Sequence, residues 1–457
     1  MSGSNRKKMK ESRETGGDFD PGQNRAAPDE PQKKLFAGRM FGGDRVLWII
    51  LMILAIVSVL VVYSSTISLV YRKAGGDTSH YLINQVKYIL LGFAVIWFVH
   101  RINYQIYARF AKTAFIISFG FMLLTFFVGV NLNEASRWIR VPIIGLTFQP
   151  SDFLKVTLVM VLAQQLARRQ TVINRIPILP QLFTWGRQRN TGRNRDIFFD
   201  TTLPILGPVA LVCGAIFFSN FSTAAITFFT CWVMLYIGRV RLGQLWKLMG
   251  ITMVAVIGLL VLMNGLGWGR AETAVNRLET TVNRLKDFAG IERTKQGVSN
   301  DDFQIEQAKI AIASGGIFGK GPGNSTQRVN LPHSYSDFAY AFIVEEYGIV
   351  GAMVILLLYL WIFFRSILIF QKCGTAFPSL LVLGLGLMIV LQALFNILVS
   401  LDILPVTGQT LPLISLGGSS LLFTSLALGM ILGVSRQVEE RSLDRPRGES
   451  LLEGSGK

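Results

Sequence analysis

Ten apolar stretches, each about as long as a bilayer is thick, leave this chain little choice of architecture. They run over 46–70, 83–99, 113–131, 153–167, 203–219, 222–238, 247–265, 339–364, 377–399 and 411–434. A helix needs ~20 mostly apolar residues to cross the hydrocarbon core, and backbone in lipid must satisfy its own hydrogen bonds. The predicted fold is therefore an all-α polytopic membrane protein with about ten transmembrane helices. Composition agrees, because 51% of residues are hydrophobic and only 16% charged, against about 25% charged in an average soluble domain. That balance excludes a disordered chain and argues strongly against a soluble one.

The net charge of +17 would suggest nucleic acid in a soluble protein. Here the basic residues fall in alternate loops. Arg101, Arg109 and Lys112 follow the second stretch, and Arg168, Arg169, Arg175, Arg187, Arg189, Arg193 and Arg195 follow the fourth. Arg239, Arg241 and Lys247 follow the sixth, with Arg365 and Lys372 after the eighth. These loops are expected in the cytoplasm beside anionic lipid, with both termini on the same side and no nucleic-acid partner. Residues 1–45 are too polar to bury a core and read as a disordered cytoplasmic tail. They are not a cleavable signal peptide, because the first apolar run begins too late. Residues 46–435 form the membrane domain, and 436–457 a second cytoplasmic tail.

The other face carries one large segment, 265–338, in which nine Lys or Arg nearly balance eight Asp or Glu. Within it, Glu272–Leu278 is followed at once by the near-copy Glu279–Leu285. Val275, Leu278, Val282 and Leu285 make an apolar stripe, as in an amphipathic helix on the bilayer or over the bundle. A second helix is expected over about 302–314.

Several polar residues sit where lipid should make them costly. Asp152 and Lys155 are one helical turn apart, after a helix start at Pro150-Ser151, and pairing lowers the cost of both charges. A satisfied structural ion pair is the equally weighted reading. Arg137 and Trp138 lie in an outside loop, where tryptophan alone signals an interfacial anchor. Glu345 and Glu346 open the eighth stretch, and burying two adjacent carboxylates is expensive, which favours one of them facing water. Asp337, Glu345 and Lys155 could line one outward-opening polar cavity. Gly315–Gly323 is glycine-dense, but it lacks the spacing and the strand of a nucleotide-binding loop. With Lys320, and Arg328 just beyond, it offers amides and cations suited to a diphosphate, or simply a tight turn. Leu404–Ser420, with Thr410 and Ser419, combines prolines, glycines and hydroxyls at a span boundary. Non-helical backbone there must face protein or a water-filled cavity. The cysteines and histidines are too scattered for a metal centre, three of each in the whole chain.

These segments together resemble the SEDS family (shape, elongation, division and sporulation) over about 45–435. The specific pieces are LPVTGQTLPLISLGGSS at Leu404–Ser420 and GGIFGKGPGNSTQRVNLPHSYSDFAYAFIVEE at Gly315–Glu346. RWI at Arg137–Ile139 and QPSDFLK at Gln149–Lys155 fit as well. The resemblance implies a bacterial inner-membrane enzyme that polymerises lipid II into peptidoglycan strands beside a class B penicillin-binding transpeptidase and other divisome membrane proteins. It also implies ten spans and an essential aspartate in the large outside loop. Gly321-Pro-Gly-Asn-Ser325 has the form typical of the division branch rather than the elongation branch.

The chain departs from the family at telling positions. Asp152 stands where a glutamate is usual, and Asn220 where an acid is usual. His333-Ser-Tyr-Ser-Asp337 keeps one charge of its motif. The family's D-P-x-G-x-G-Y-Q is missing before Phe303-Gln304. Asp302 or Asp301 can replace its aspartate by local realignment, with Glu292 more remote. A carboxylate would serve as base for the attacking sugar hydroxyl, while Lys155, Lys320, Arg328 and Arg137 stand ready for the diphosphate. That chemistry leaves room for a divalent cation, although no spacing establishes a metal site. A lipid II flippase, an elongation polymerase and a non-catalytic scaffold for a transpeptidase are the rival readings.

Overall fold

The computed structural model describes residues 42–72, 78–128, 130–132, 135–140, 147–170, 200, 202–265, 300–327, 337–404 and 408–443. All lie in the body that runs from Gly42 to Lys457. The tail before residue 42, the repeat at 272–285, Glu292 and Arg328 lie outside the described residues. Eleven α-helices account for most of what is described. They are α1 (Arg45–Arg72), α2 (Thr78–Val99), α3 (Tyr104–Val128), α4 (Pro150–Arg168), α5 (Leu203–Ser219) and α6 (Phe221–Ile237). The chain continues through α7 (Leu242–Gly265), α8 (Asn300–Gly315), α9 (Ala339–Lys372), α10 (Ala376–Ser400) and α11 (Gly418–Leu443).

Each of the ten apolar stretches overlaps one of these helices, and α8 covers the further helix expected near 302–314. Among the described residues, six helices are long and apolar enough to cross a membrane: α1, α2, α3, α9, α10 and α11. Helices α5 and α6 are apolar but shorter. The centre of the bundle is α10, which packs on α4, α6, α9 and α11. Helix α4 is buried from Pro150 to Leu166 except at Phe153, so it tolerates Asp152, Lys155, Gln164 and Gln165. The outer helices instead expose Ile56, Phe98, Ile116 and Met253. An apolar exterior around a partly polar interior is the arrangement that suits lipid.

Several expected boundaries move, with α9 running on to Lys372 and α11 to Leu443, and two of the shifts have a visible cause. The last stretch was expected from 411, but α11 begins at Gly418, because Pro412 and the left-handed Leu413 (φ 66°) hold 411–417 in a turn. The third was expected over 113–131. Its helix spans Tyr104–Val128, and the chain then enters a small antiparallel sheet of β1 (Val130–Leu132), β2 (Ala135–Arg140) and β3 (Thr147–Phe148). Val130 pairs with Trp138, and Ile139 with Phe148. This sheet is absent from the all-α expectation. Phe148 fixes it to the bundle by packing against Phe121 and Phe423.

Helix α9 contains the most unusual feature of the backbone. At Gly348 (φ 69°, ψ −173°) the helical ladder is interrupted. A continuous helix would bond the amides of Ile349 and Val350 to the carbonyls of Glu345 and Glu346. Instead those amides donate to the carbonyls of Gly316 and Ile317, at 3.1 and 3.2 Å. The freed carbonyls of Glu345 and Glu346 accept the amides of Lys320 and Gly321, at 3.0 Å each. The glycine-dense loop is thus spliced into the helix and takes up both of these broken bonds. A side chain on Gly348 would strike the Ile317 carbonyl and the Gly319 amide, and one on Gly315 would strike the Val344 carbonyl.

The opposite end of the bundle is held by charges and caps. Asp44 caps α1 by accepting from the amides of Val46 (2.9 Å) and Leu47 (3.2 Å), and it pairs with Arg365 of α9. Gln437 of α11 takes the Tyr104 amide and donates to the Ile102 carbonyl. Arg436 donates to the Arg101 carbonyl at 3.0 Å.

The splice makes a direct prediction. Gly348→Ala should lower stability by at least the ~1–3 kcal/mol of left-handed strain, while Gly374→Ala, whose Cβ would meet open space, should be nearly silent. Thermal unfolding in detergent reads both, and equal midpoints for the two variants would contradict the described loop packing.

Candidate functional site

The first turn of α4 supplies the charged core of the site. Gln149 is the residue before the helix, extended at φ −99°, and Pro150 starts it with its ring in place of an amide that would lack a partner. Asp152 therefore sits at the positive end of the helix macrodipole. Lys155, one turn on, approaches the Asp152 carboxylate to 2.9 Å, with side chains 5% and 11% exposed respectively.

Helix α10 holds this pair through amides. Lys155 Nζ donates to Gln392 Oε1 at 3.4 Å, and Gln392 Nε2 donates to the Thr410 carbonyl at 3.1 Å. One turn along, Asn396 Nδ2 donates to the carbonyls of Asp337 (2.8 Å) and Gln409 (2.7 Å). Gln409 Nε2 then reaches Thr223 Oγ1 at 2.6 Å, in the first turn of α6, which Asn220 caps. Thr410 and Ser420 share a hydroxyl contact at 3.1 Å, and Ser419 Oγ accepts the Gln149 amide at 3.3 Å. Two carbonyls of the non-helical 408–417 segment, those of Gln409 and Thr410, are thereby taken by side chains of α10.

Five of the sequence-predicted residues meet in this one network: Asp152, Lys155, Asp337, Thr410 and Ser419. Gly408, with φ 61°, lies close to the Asp337 carboxylate. Glu345 belongs to a different set of contacts. It accepts from Lys320 Nζ (2.8 Å), from the Thr326 amide and hydroxyl (2.9 Å each), from the Gln327 amide (3.3 Å) and from Ser325. Lys320 and Glu345 thus pair with each other. The expectation that one of the two adjacent glutamates faces water does not hold, since both are fully buried. Loop donors replace water at Glu345, and Ser64 with the Gly323 amide does so at Glu346.

Arg137 lies on β2, which pairs with β3, and β3 ends two residues before α4. Asp301 and Asp302 lie in the first turn of α8, which Asn300 opens. The second half of α8 is anchored at the same end of the bundle. Lys309 pairs with Asp402, and Ala308 packs with Phe338, Ala341 and Val399. Among the described residues, no three His, Cys, Asp or Glu side chains gather as metal ligands.

The sequence reading missed Gln392 and Asn396. Their signal was present, because two amides four apart in an otherwise apolar stretch put polar groups on one helical face. Gln409 lies in the 404–420 wall segment but is not among the residues singled out there.

A family model described as cell cycle protein, which joins the FtsW, RodA and SpoVE proteins, matches residues 44–440. The probable peptidoglycan glycosyltransferase FtsW of Geobacter sp. (strain M18) is 30% identical over 404 residues, covering 88% of this chain and 98% of its own. A structure concerned with the coordination of polymerization and crosslinking by a peptidoglycan synthase complex superposes with a TM-score of 0.59 at 22% identity, covering 87% of this chain and 98% of that one. The rod shape determining protein RodA of Thermus thermophilus does so with a TM-score of 0.54 at 21% identity, covering 86% and 97%. Both likenesses establish the fold.

The burial of the α4 pair carries its own test. Lys155→Met should cost ~3–5 kcal/mol, because it strands Asp152 without a counter-charge. Asp152→Asn combined with Lys155→Met should recover most of that loss. Unfolding midpoints of Lys155→Met, Asp152→Asn and the double variant against the parent decide it, and additive losses would refute the pairing.

Proposed function

The chain belongs to the FtsW, RodA and SpoVE family of cell cycle proteins, and from that premise we propose that it is a peptidoglycan glycosyltransferase. Its substrate is lipid II, which it polymerises into glycan strands during septal wall synthesis. The observation that carries this reading is the Asp152–Lys155 pair and its amide belt, all at the end of the bundle where α8 and the glycine loop pack. Relatives named as probable FtsW glycosyltransferases, and the G-x-G-N-S form at Gly321–Ser325, support the division branch.

In the proposed arrangement the chain crosses the bacterial inner membrane ten times with both termini in the cytoplasm. Residues 265–338 and the α4 pair then face outward. The sugar 4-hydroxyl attacks the anomeric carbon of the neighbouring lipid II, and the bond from that carbon to the diphosphate breaks. The hydroxyl proton passes to a carboxylate at the start of α8, with Asp302 preferred and Asp301 second. The leaving polyprenyl diphosphate gains charge, which Lys155, Arg137 and Arg328 offset. Asp152 holds Lys155 in place, while Asp337, Thr410 and Ser419 line the wall. Lys320 and Glu345 enter as a brace between loop and helix. A class B penicillin-binding transpeptidase is the partner that would crosslink the product, alongside other divisome membrane proteins.

Purified protein, with and without its transpeptidase, is to be assayed on lipid II. Asp302→Asn should abolish polymerisation, or Asp301→Asn should do so in its place, with folding and partner binding intact. Full activity in both variants would remove the base from this site. Lipid II crossing vesicle membranes without polymer would overturn the enzyme reading in favour of transport.

A further inference from the structure

Glu345 accepts five hydrogen bonds, all from one loop. It is fully buried, and its donors come from Lys320, Ser325, Thr326 and Gln327. All four belong to the loop that leaves α8. Lys320 is itself shared, because its ammonium also donates to Ser314 in the last turn of α8 (2.8 Å) and to Thr326 (2.7 Å). One carboxylate on α9 therefore holds the end of α8 and both limbs of the loop after it.

The backbone splice at Gly348 fixes the same loop at the same place, so the restraint is double. The helix it controls is short and lies packed against α9. Helix α8 pairs Lys309 with Asp402 just beyond α10, packs Ala308 with Phe338, Ala341 and Val399, and sets Ile312 against a second cluster that includes Tyr340 and Val344. Its first turn bears Asp301 and Asp302. A rigid helix of 16 residues transmits any tilt at its C-terminal end to its N-terminal end. A displacement of about 1 Å at a reacting group can cost roughly a hundredfold in rate.

We infer that Glu345 is a positioning residue: through Lys320 and the 320–327 loop it sets the seat of α8, and so the placement of the carboxylates on its first turn. This rests on the reading of the chain as a lipid II polymerase. Glu345 touches no substrate in this arrangement. It acts by removing freedom from the element that bears the base, and the buried Glu345–Lys320 pair is the fastening.

The test uses the full chain with its transpeptidase and compares Glu345→Gln and Thr326→Val with the parent. Glu345→Gln removes the charge and exchanges one acceptor oxygen for a donor while keeping the shape, and Thr326→Val deletes the hydroxyl that donates to Glu345 and accepts from Lys320. The expected result is a fall in kcat of roughly tenfold to a hundredfold for Glu345→Gln, a smaller fall for Thr326→Val, and a KM for lipid II that stays within about twofold of the parent. A second measurement is independent of activity. Spin labels introduced at Glu306→Cys on α8 and Leu401→Cys beyond α10, both exposed positions, should give a distance distribution that broadens when Glu345→Gln is added. A raised KM with unchanged kcat would make Glu345 or Lys320 a direct substrate contact and overturn the inference. An unchanged distribution would overturn it as well, and so would activity that merely tracks the folded fraction. A parent protein that forms no polymer would instead defeat the polymerase reading, while the label distances would still judge whether Glu345 seats α8.

Discussion

The exchange of backbone hydrogen bonds between the glycine-dense loop and α9 is the interaction on which the site end of this protein depends. A kinked helix in lipid normally leaves amides and carbonyls without partners, each costly in a medium that cannot hydrogen-bond. Here the loop supplies a carbonyl for each stranded amide and an amide for each stranded carbonyl. The two glutamates just before the kink can then be buried, because the same loop brings Lys320, Ser325, Thr326 and the Gly323 amide to them. Glycine is required on both sides of the exchange, since any Cβ at Gly315, Gly319 or Gly348 would meet backbone.

A second principle organises the interior. Around the α4 pair, neutral amides carry much of the buried polarity and bond backbone that is not helical. Gln392 and Asn396 of α10 reach across to the 408–411 segment and to Asp337, and Gln409 reaches back to Thr223. These contacts come from four separate parts of the sequence. They hold Lys155 near Gln392 with no need for a second buried acid, and neutral partners avoid the desolvation cost that a larger charge cluster would carry.

Much of this was legible in the sequence. Length and apolarity placed a helix over each of the ten stretches, because continuous hydrophobic runs admit few alternatives. Asp152 with Lys155, and the wall segment with Thr410 and Ser419, were visible because polar residues in lipid are expensive enough to stand out. Other features were hidden for identifiable reasons. The β1–β3 sheet is made of strands too short to show alternation, and its register depends on Phe148 packing against α3 and α11. The pairing of Lys320 with Glu345 is a contact over 25 positions that periodicity does not encode. The glycine loop offered two readings, a diphosphate cradle or a turn. Its amides at 320 and 321 prove to be occupied by α9.

The splice also bears on how such a chain is assembled. The strand that enters the helix precedes it in sequence, so it emerges from the ribosome first and has no partner until α9 follows. Until then the carbonyls of Gly316 and Ile317 and the amides of Lys320 and Gly321 lack their partners in α9. Closing the exchange is a late event that needs both segments on the same side of the bilayer, and it locks the orientation of α9 once made. Insertion and folding are thereby coupled at one point: a helix that threads the wrong way forfeits four backbone hydrogen bonds at once, which makes the finished topology self-checking.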